Sequence, residues 1–247
     1  MRPENGSAIG RLVDELSWAN NGMRDFGGGG FGYDNVLTTE VLQALDYLPR
    51  ENYLGKIFCS AHGNELTKKS LCKDAEQLNL TILPGNYYLK PNPKTHEEGF
   101  AVQPDAILES NKHFIIVEAK RPKRGSFHIK QLARDFVLLT KNSSIKKPAL
   151  FLILGEKPPI ILNRAGKFPI EEAIQIYLKD AIKEAGEYPY YYEEALRKIE
   201  PIVLWTTWAE INTIAQEQLA HELQQSSMYN CIERLVNSIS YSINTYI

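Results

Sequence analysis

The chain has 247 residues, enough for one large hydrophobic core or two modest ones, and its 43% apolar and 23% charged residues are those of an ordinary globular protein. A formal net charge of -2 offers no global attraction to a polyanion, so any contact with nucleic acid has to come from a local positive surface. Three cysteines, Cys59, Cys72 and Cys231, are too few and too scattered for a disulfide framework or a thiolate zinc cluster, and they read as buried free thiols in a reducing compartment.

The first stretch reads as a helix, with Ile9, Leu12, Val13 and Leu16 at helical spacing. It shows neither a signal-peptide run nor, anywhere downstream, an apolar segment of bilayer length, so a cytoplasmic location without a membrane partner is expected. Gly27 to Asn35 reads as a glycine-rich surface loop, because it lacks the Lys-Ser/Thr ending of a phosphate-binding loop. Thr38 or Thr39 then caps a short helix with Val41, Leu42, Leu45 and Leu48 on its apolar face, ended by Pro49. A second helix is predicted over about Asn64 to Gln77. LTILPGNYYLK reads as extended chain around a Pro84-Gly85 turn, and Pro91 to Gly99 as a polar connector.

The clearest pattern begins at Phe100. FAVQPDAILE and HFIIVEAK read as two strands, IKQLARDFVLLTK as a helix, and PALFLILG as a strand that is apolar on both faces and therefore central. Helices are predicted around EEAIQIYLKDAIKEAG and from Glu193 to Ile199, ending at Pro201, then a strand at IVLWTTW and helix from Ala209 to the end. The tyrosines from Tyr188 to Tyr192 and Trp205 and Trp208 are assigned to core or interface. The expected organisation is a helical and glycine-rich region over 1–63, a core over 64–165 and C-terminal helices with one added strand over 166–247, packed as one domain. The fold class is α/β, a central mixed sheet flanked by helices, with helical N- and C-terminal extensions.

If Asn111 and Lys112 make a two-residue turn, Ser110 opposes His113, and counting outward sets Asp105 opposite Glu118. Strand alternation turns Glu118 and Lys120 to one face and Val117 and Ala119 to the other. Two carboxylates so placed repel unless a cation lies between them, and a hard divalent ion such as Mg²⁺ suits carboxylate oxygens together with the Ala119 carbonyl. Lys120 can orient an attacking water and offset charge on a reacting phosphate. Between Lys112 and Arg134 the basic residues are Lys112, Lys120, Arg121, Lys123, Arg124, Lys130 and Arg134, with Glu118 the only acid, so a positive patch is expected. His113 and His128 match no metal-ligand spacing.

Pro104-Asp105 followed by Glu118-Ala119-Lys120 resembles the PD-(D/E)xK nuclease superfamily, over roughly Asn64 to Gly155. The resemblance implies a restriction endonuclease-like fold in which Asp105 and Glu118 bind Mg²⁺, Lys120 serves the water nucleophile and Gln131, on the following helix, assists. It also implies an acid on a helix before the sheet, for which Glu40, Glu65 and Glu76 are candidates. The function expected on this basis is Mg²⁺-dependent hydrolysis of DNA phosphodiester bonds by an endonuclease of restriction-modification type, acting on double-stranded DNA as a homodimer. A structure-selective or nicking nuclease of repair or mobile elements, and a non-catalytic DNA-binding protein on the same fold, are the alternatives.

Overall fold

The computed structural model of the chain describes residues 32–89, 99–121, 125–142, 146–186, 191–224 and 227–246. In chain order its elements are α1 (Gly32–Tyr47), α2 (Leu54–Ser60), β1 (His62–Gly63), α3 (Glu65–Asp74), β2 (Asn79–Ile82), β3 (Tyr87–Leu89), β4 (Phe100–Val102), β5 (Ala106–Glu109) and β6 (His113–Ala119). Then follow α4 (Gln131–Asn142), β7 (Lys147–Leu154), β8 (Ile160–Leu162), β9 (Gly166–Phe168), α5 (Ile170–Glu184), α6 (Tyr192–Ile202), β10 (Val203–Thr207), α7 (Trp208–His221) and α8 (Tyr229–Tyr246). A 3₁₀ turn over Ala75–Gln77 extends α3.

Six strands form a mixed sheet in the order β1-β10-β7-β6-β5-β2. β6, β7 and β10 are parallel neighbours, while β5, β2 and β1 add on antiparallel. β7 lies in the middle and is buried along its apolar run, as its two-faced pattern predicts. Strand alternation divides the core. Leu108, Ile115, Val117, Phe151 and Ile153 face α1, α2, α3, α7 and α8. Ile107, Ile116, Leu150 and Leu152 face α4, α5 and α6. The architecture is thus a mixed α/β fold with helices on both faces of the sheet.

Local chemistry sets several element ends. Asn64 caps α3 by accepting from the Leu66 and Thr67 amides at 3.1 and 3.2 Å. Thr207 and Glu210 close a reciprocal capping box at the start of α7.

Several expectations are corrected. Thr38 and Thr39 do not cap a helix; both are buried inside α1, which already starts at Gly32, so Gly32 to Asn35 are helical rather than loop. FAVQPDAILE is not one strand. It breaks at Gln103-Pro104, and β4 pairs with β3 in a separate two-stranded sheet, because the proline lacks the amide that a continuous ladder requires. The β8–β9 hairpin, α2 and β1 had no counterpart in the sequence reading, and α6 runs one residue past Pro201. The cysteines are not buried free thiols: Cys59 and Cys72 are disulfide-bonded, joining α2 to α3 with their Cα atoms 5.5 Å apart, and Cys231 is free and exposed. Two helices packed side by side brought together thiols that looked scattered along the chain. The helix expected around Ile9 to Leu16, the loop residues Gly27 to Phe31, and all of the Pro91 to Gly99 connector but its last residue lie outside the described residues.

Candidate functional site

Sheet register brings the first two predicted residues together. Ser110 N donates to His113 O at 3.0 Å, and Ala106 pairs with Val117, so the next pair outward is Asp105 with Glu118. Asp105 sits just before β5, where its Oδ2 accepts from the Ala119 amide at 2.7 Å. Glu118 shares the face of Ile116, beneath α4, and is completely buried.

Lys120 follows β6 on the same face, with Nζ 3.9 Å from Glu118 Oε2 and 5.2 Å from the centre of the Phe127 ring. Its backbone is fixed on both sides: its amide donates to Ile153 O at 2.8 Å, and its carbonyl accepts from the buried Trp208 indole at 3.1 Å. Gly125 lies against it. A Cβ there would come within 2.8 Å of Lys120 Cβ and closer still to the Arg121 carbonyl, so a glycine is required for that approach. Gln131 opens α4 and donates from Nε2 to Glu118 Oε2. The chain therefore gathers Asp105, Glu118, Lys120 and Gln131 at the C-terminal end of β6.

Sequence reasoning missed a fifth residue. Asp135 lies one helical turn beyond Gln131, is 1% exposed, and bears electrostatically on Glu118. Glu118 Oε1 and Asp135 Oδ2 are buried without a hydrogen-bond partner among the described residues. Burial first, then the charges of Asp135 and Asp105, hold the Glu118 carboxyl well above its ordinary range, against the pull of Lys120 and of the Gln131 hydrogen bond. Burial likewise pushes Asp135 up to about 8, with Asp105 adding to the effect and Lys120 and Arg134 opposing it. Buried carboxyls with unused oxygens are a chemistry that either a hard cation or a proton satisfies.

The three candidate helical acids do not join this cluster. Glu40 is exposed on α1, Glu65 is exposed and pairs with Lys68, and Glu76 accepts from the Glu51 amide at 2.8 Å. The helices that carry them cover the opposite face of the sheet. Among the described residues no group of three or more His, Cys, Asp or Glu side chains is arranged to hold a metal ion.

The predicted basic patch is not continuous. Lys112 lies at the far end of β6, with Nζ 3.6 Å from Asp74. Lys130 and Arg134 share Glu184, at 3.8 and 3.0 Å, and are partly neutralised by it. Arg121 stays beside Lys120, where both line a cavity of about 240 Å³ with Lys167. A second cavity, also about 240 Å³, is lined by His128, Lys130, Gln131, Arg134 and Asp135. Lys123 and Arg124 lie outside the described residues. Trp208 is core, as assigned, and the Trp205 ring stacks on His62 with centres 3.9 Å apart.

The chain matches no model of a known protein family, no curated protein and no solved structure. No helix among the described residues is long and apolar enough to cross a membrane.

Proposed function

We propose that the protein is a Mg²⁺-dependent endonuclease with a restriction endonuclease-like fold, hydrolysing phosphodiester bonds of double-stranded DNA. The observation that supports this most is the register pairing of Asp105 with Glu118 on adjacent strands, with Lys120 3.9 Å from Glu118 Oε2 and one Glu118 oxygen buried without a partner. Asp105, Glu118 and the Ala119 carbonyl would hold the ion. Mg²⁺ bound there supplies charge stabilisation to the phosphoryl oxygens.

The chain's own residues do the rest. Lys120, 16% exposed at its side chain and anchored through both backbone groups, directs the attacking water and offsets negative charge as the new P–O bond forms and the bond to the leaving oxygen breaks. Gln131 fixes the Glu118 carboxylate by its hydrogen bond, so the site is set before substrate arrives. Arg121 and Lys167 on one side, and Lys130 and Arg134 on the other, offer contacts to backbone phosphates that position a duplex without reading its sequence.

A homodimer with one site per strand follows from a two-fold duplex target. A cytoplasmic location belongs to the same reading, in which the Cys59–Cys72 disulfide is an exception to the reduced state usual for thiols there.

The test uses supercoiled plasmid with Mg²⁺. The wild type is expected to nick and linearise it, while Lys120→Ala retains duplex binding and loses about 10²-fold or more in the single-turnover cleavage rate. Equal cleavage by Lys120→Ala, or cleavage that persists in a chelator, overturns the reading. Salt-sensitive duplex binding by a folded wild type that never cuts would assign the chain to the DNA-binding class instead.

A further inference from the structure

We propose that Asp135 is a ligand of the divalent cation, gripping it jointly with Glu118 from the helix that covers the site. This rests on the nuclease reading above and adds a residue to its metal centre.

The placement follows from two periodicities. Alternation along β6 turns Glu118 toward α4, and the four-residue spacing of Gln131 and Asp135 sets both on one face of that helix. The Gln131 amide already donates to Glu118 Oε2, so the face carrying Asp135 is the one laid over Glu118. Of the two neighbouring carboxylates, Asp135 presses on Glu118 harder than Asp105 does. Asp105 has one oxygen committed to the Ala119 amide, whereas Glu118 Oε1 and Asp135 Oδ2 are both buried with no hydrogen-bond donor among the described residues.

Two buried carboxyls that each keep one oxygen without a donor among the described residues are satisfied by a cation between them or by a proton. Thr39 and Tyr53 also have buried hydroxyls without partners, but they are neutral groups on the other face of the sheet, so nothing there calls for a cation. Asp105, whose Oδ2 is engaged by the Ala119 amide, need not complete a three-acid set. Mg²⁺ keeps several of its waters and is commonly held by one or two carboxylates together with substrate phosphate, in keeping with the lack of a three-acid cluster among the described residues. A cavity of about 240 Å³ is lined by Gln131 and Asp135 together with Lys130, Arg134 and His128, and opens beside the helix face that covers Glu118.

Calorimetric titration of Mg²⁺ alone, without DNA, into wild type, Asp135→Asn and Asp180→Asn tests the proposal. Asp180 is an exposed acid on α5, away from the site. Wild type and Asp180→Asn are expected to bind alike, and Asp135→Asn at least about tenfold more weakly. The substitution keeps the side chain's shape and removes a buried charge, so the variant is expected to fold. Independently of any variant, Mn²⁺ added to the wild type should broaden the NMR signals of Asp135 together with those of Glu118. Mg²⁺ affinity unchanged in Asp135→Asn, or broadening at Glu118 that spares Asp135, overturns this inference and leaves the nuclease reading standing. A wild type that binds neither ion, with or without duplex DNA, overturns both.

Discussion

Strand β6 carries a buried acidic cluster at each end, on opposite faces of the sheet, and the two clusters have opposite characters. At the N-terminal end Asp74 is 3% exposed and fully partnered: Ser110 Oγ donates to its Oδ2, and His113 Nδ1 lies 2.7 Å from the same oxygen. Ser70 Oγ meets His113 Nε2 at 2.9 Å, completing the chain. Burial alone would push Asp74 up, but the hydrogen bonds from Ser110 and His113 and the charge of Lys112 bring it below its usual range. About 17 Å along the strand, Glu118 and Asp135 are just as buried, yet each keeps an oxygen without a donor, and both carboxyls are displaced upward.

The difference separates a self-satisfied clasp from the proposed site. The order Ser70, His113, Asp74 is that of a hydrolase triad, but Ser70 sits inside α3, where the backbone amides are used by the helix, and neither cavity beside the candidate site is lined by it. Its groups satisfy one another and tie α3 to the β5–β6 turn. The other cluster leaves two carboxyl oxygens without a donor among the described residues, which the proposed cation would satisfy.

The largest expected effect of this contrast is on pH dependence. Asp135 is raised in the folded state, so its contribution to stability is complete below about pH 4 and is lost as the pH rises through about 8. Asp74 is lowered, so its contribution is present above about pH 4 and is lost on acidification through its folded value. Melting temperatures measured from pH 3 to 9 in a chelator should therefore be highest near pH 4 and fall on either side, with Asp135→Asn making the decline between about pH 4 and 8 shallower and Asp74→Asn making only the acid side shallower. An unchanged alkaline slope in Asp135→Asn would remove the distinction between the two ends. Next in size, Asp74→Ala strips the clasp of its acceptor and should lower the free energy of unfolding in urea by about 3–5 kcal/mol. Reducing the Cys59–Cys72 bond releases the same helix from α2. For a loop closed at a separation of 13 residues the expected loss is about 3 kcal/mol, read as a lower urea midpoint, with no change in Mg²⁺ affinity.

Much of the site was legible because it lies on regular elements. The β5–β6 register could be counted from the Asn111-Lys112 turn, and β7 announced itself as central by being apolar on both faces. Gln131 was named only through the resemblance, which implies a glutamine on the following helix. Asp135 was not, because an acid within KQLARDF reads as a solvated helix position, although its spacing from Gln131 was the signal that could have placed it on the buried face. The basic run misled for the opposite reason. Residues contiguous in sequence along a strand and its flanking loops were spread over both ends of β6, and Glu184, 50 residues beyond Arg134, took up two of its charges. The Cys59–Cys72 pairing depended on how α2 packs against α3, which cysteine spacing does not encode.

The most direct test of a cation site at the C-terminal end of β6 is the melting temperature of the wild type at pH 8, with and without Mg²⁺, beside that of Glu118→Gln. Mg²⁺ should raise the wild-type midpoint by several degrees, roughly 2–4 °C for each kcal/mol of binding free energy in a chain of this size, and should leave Glu118→Gln unmoved. A wild-type midpoint indifferent to Mg²⁺, or an equal rise in Glu118→Gln, would contradict it.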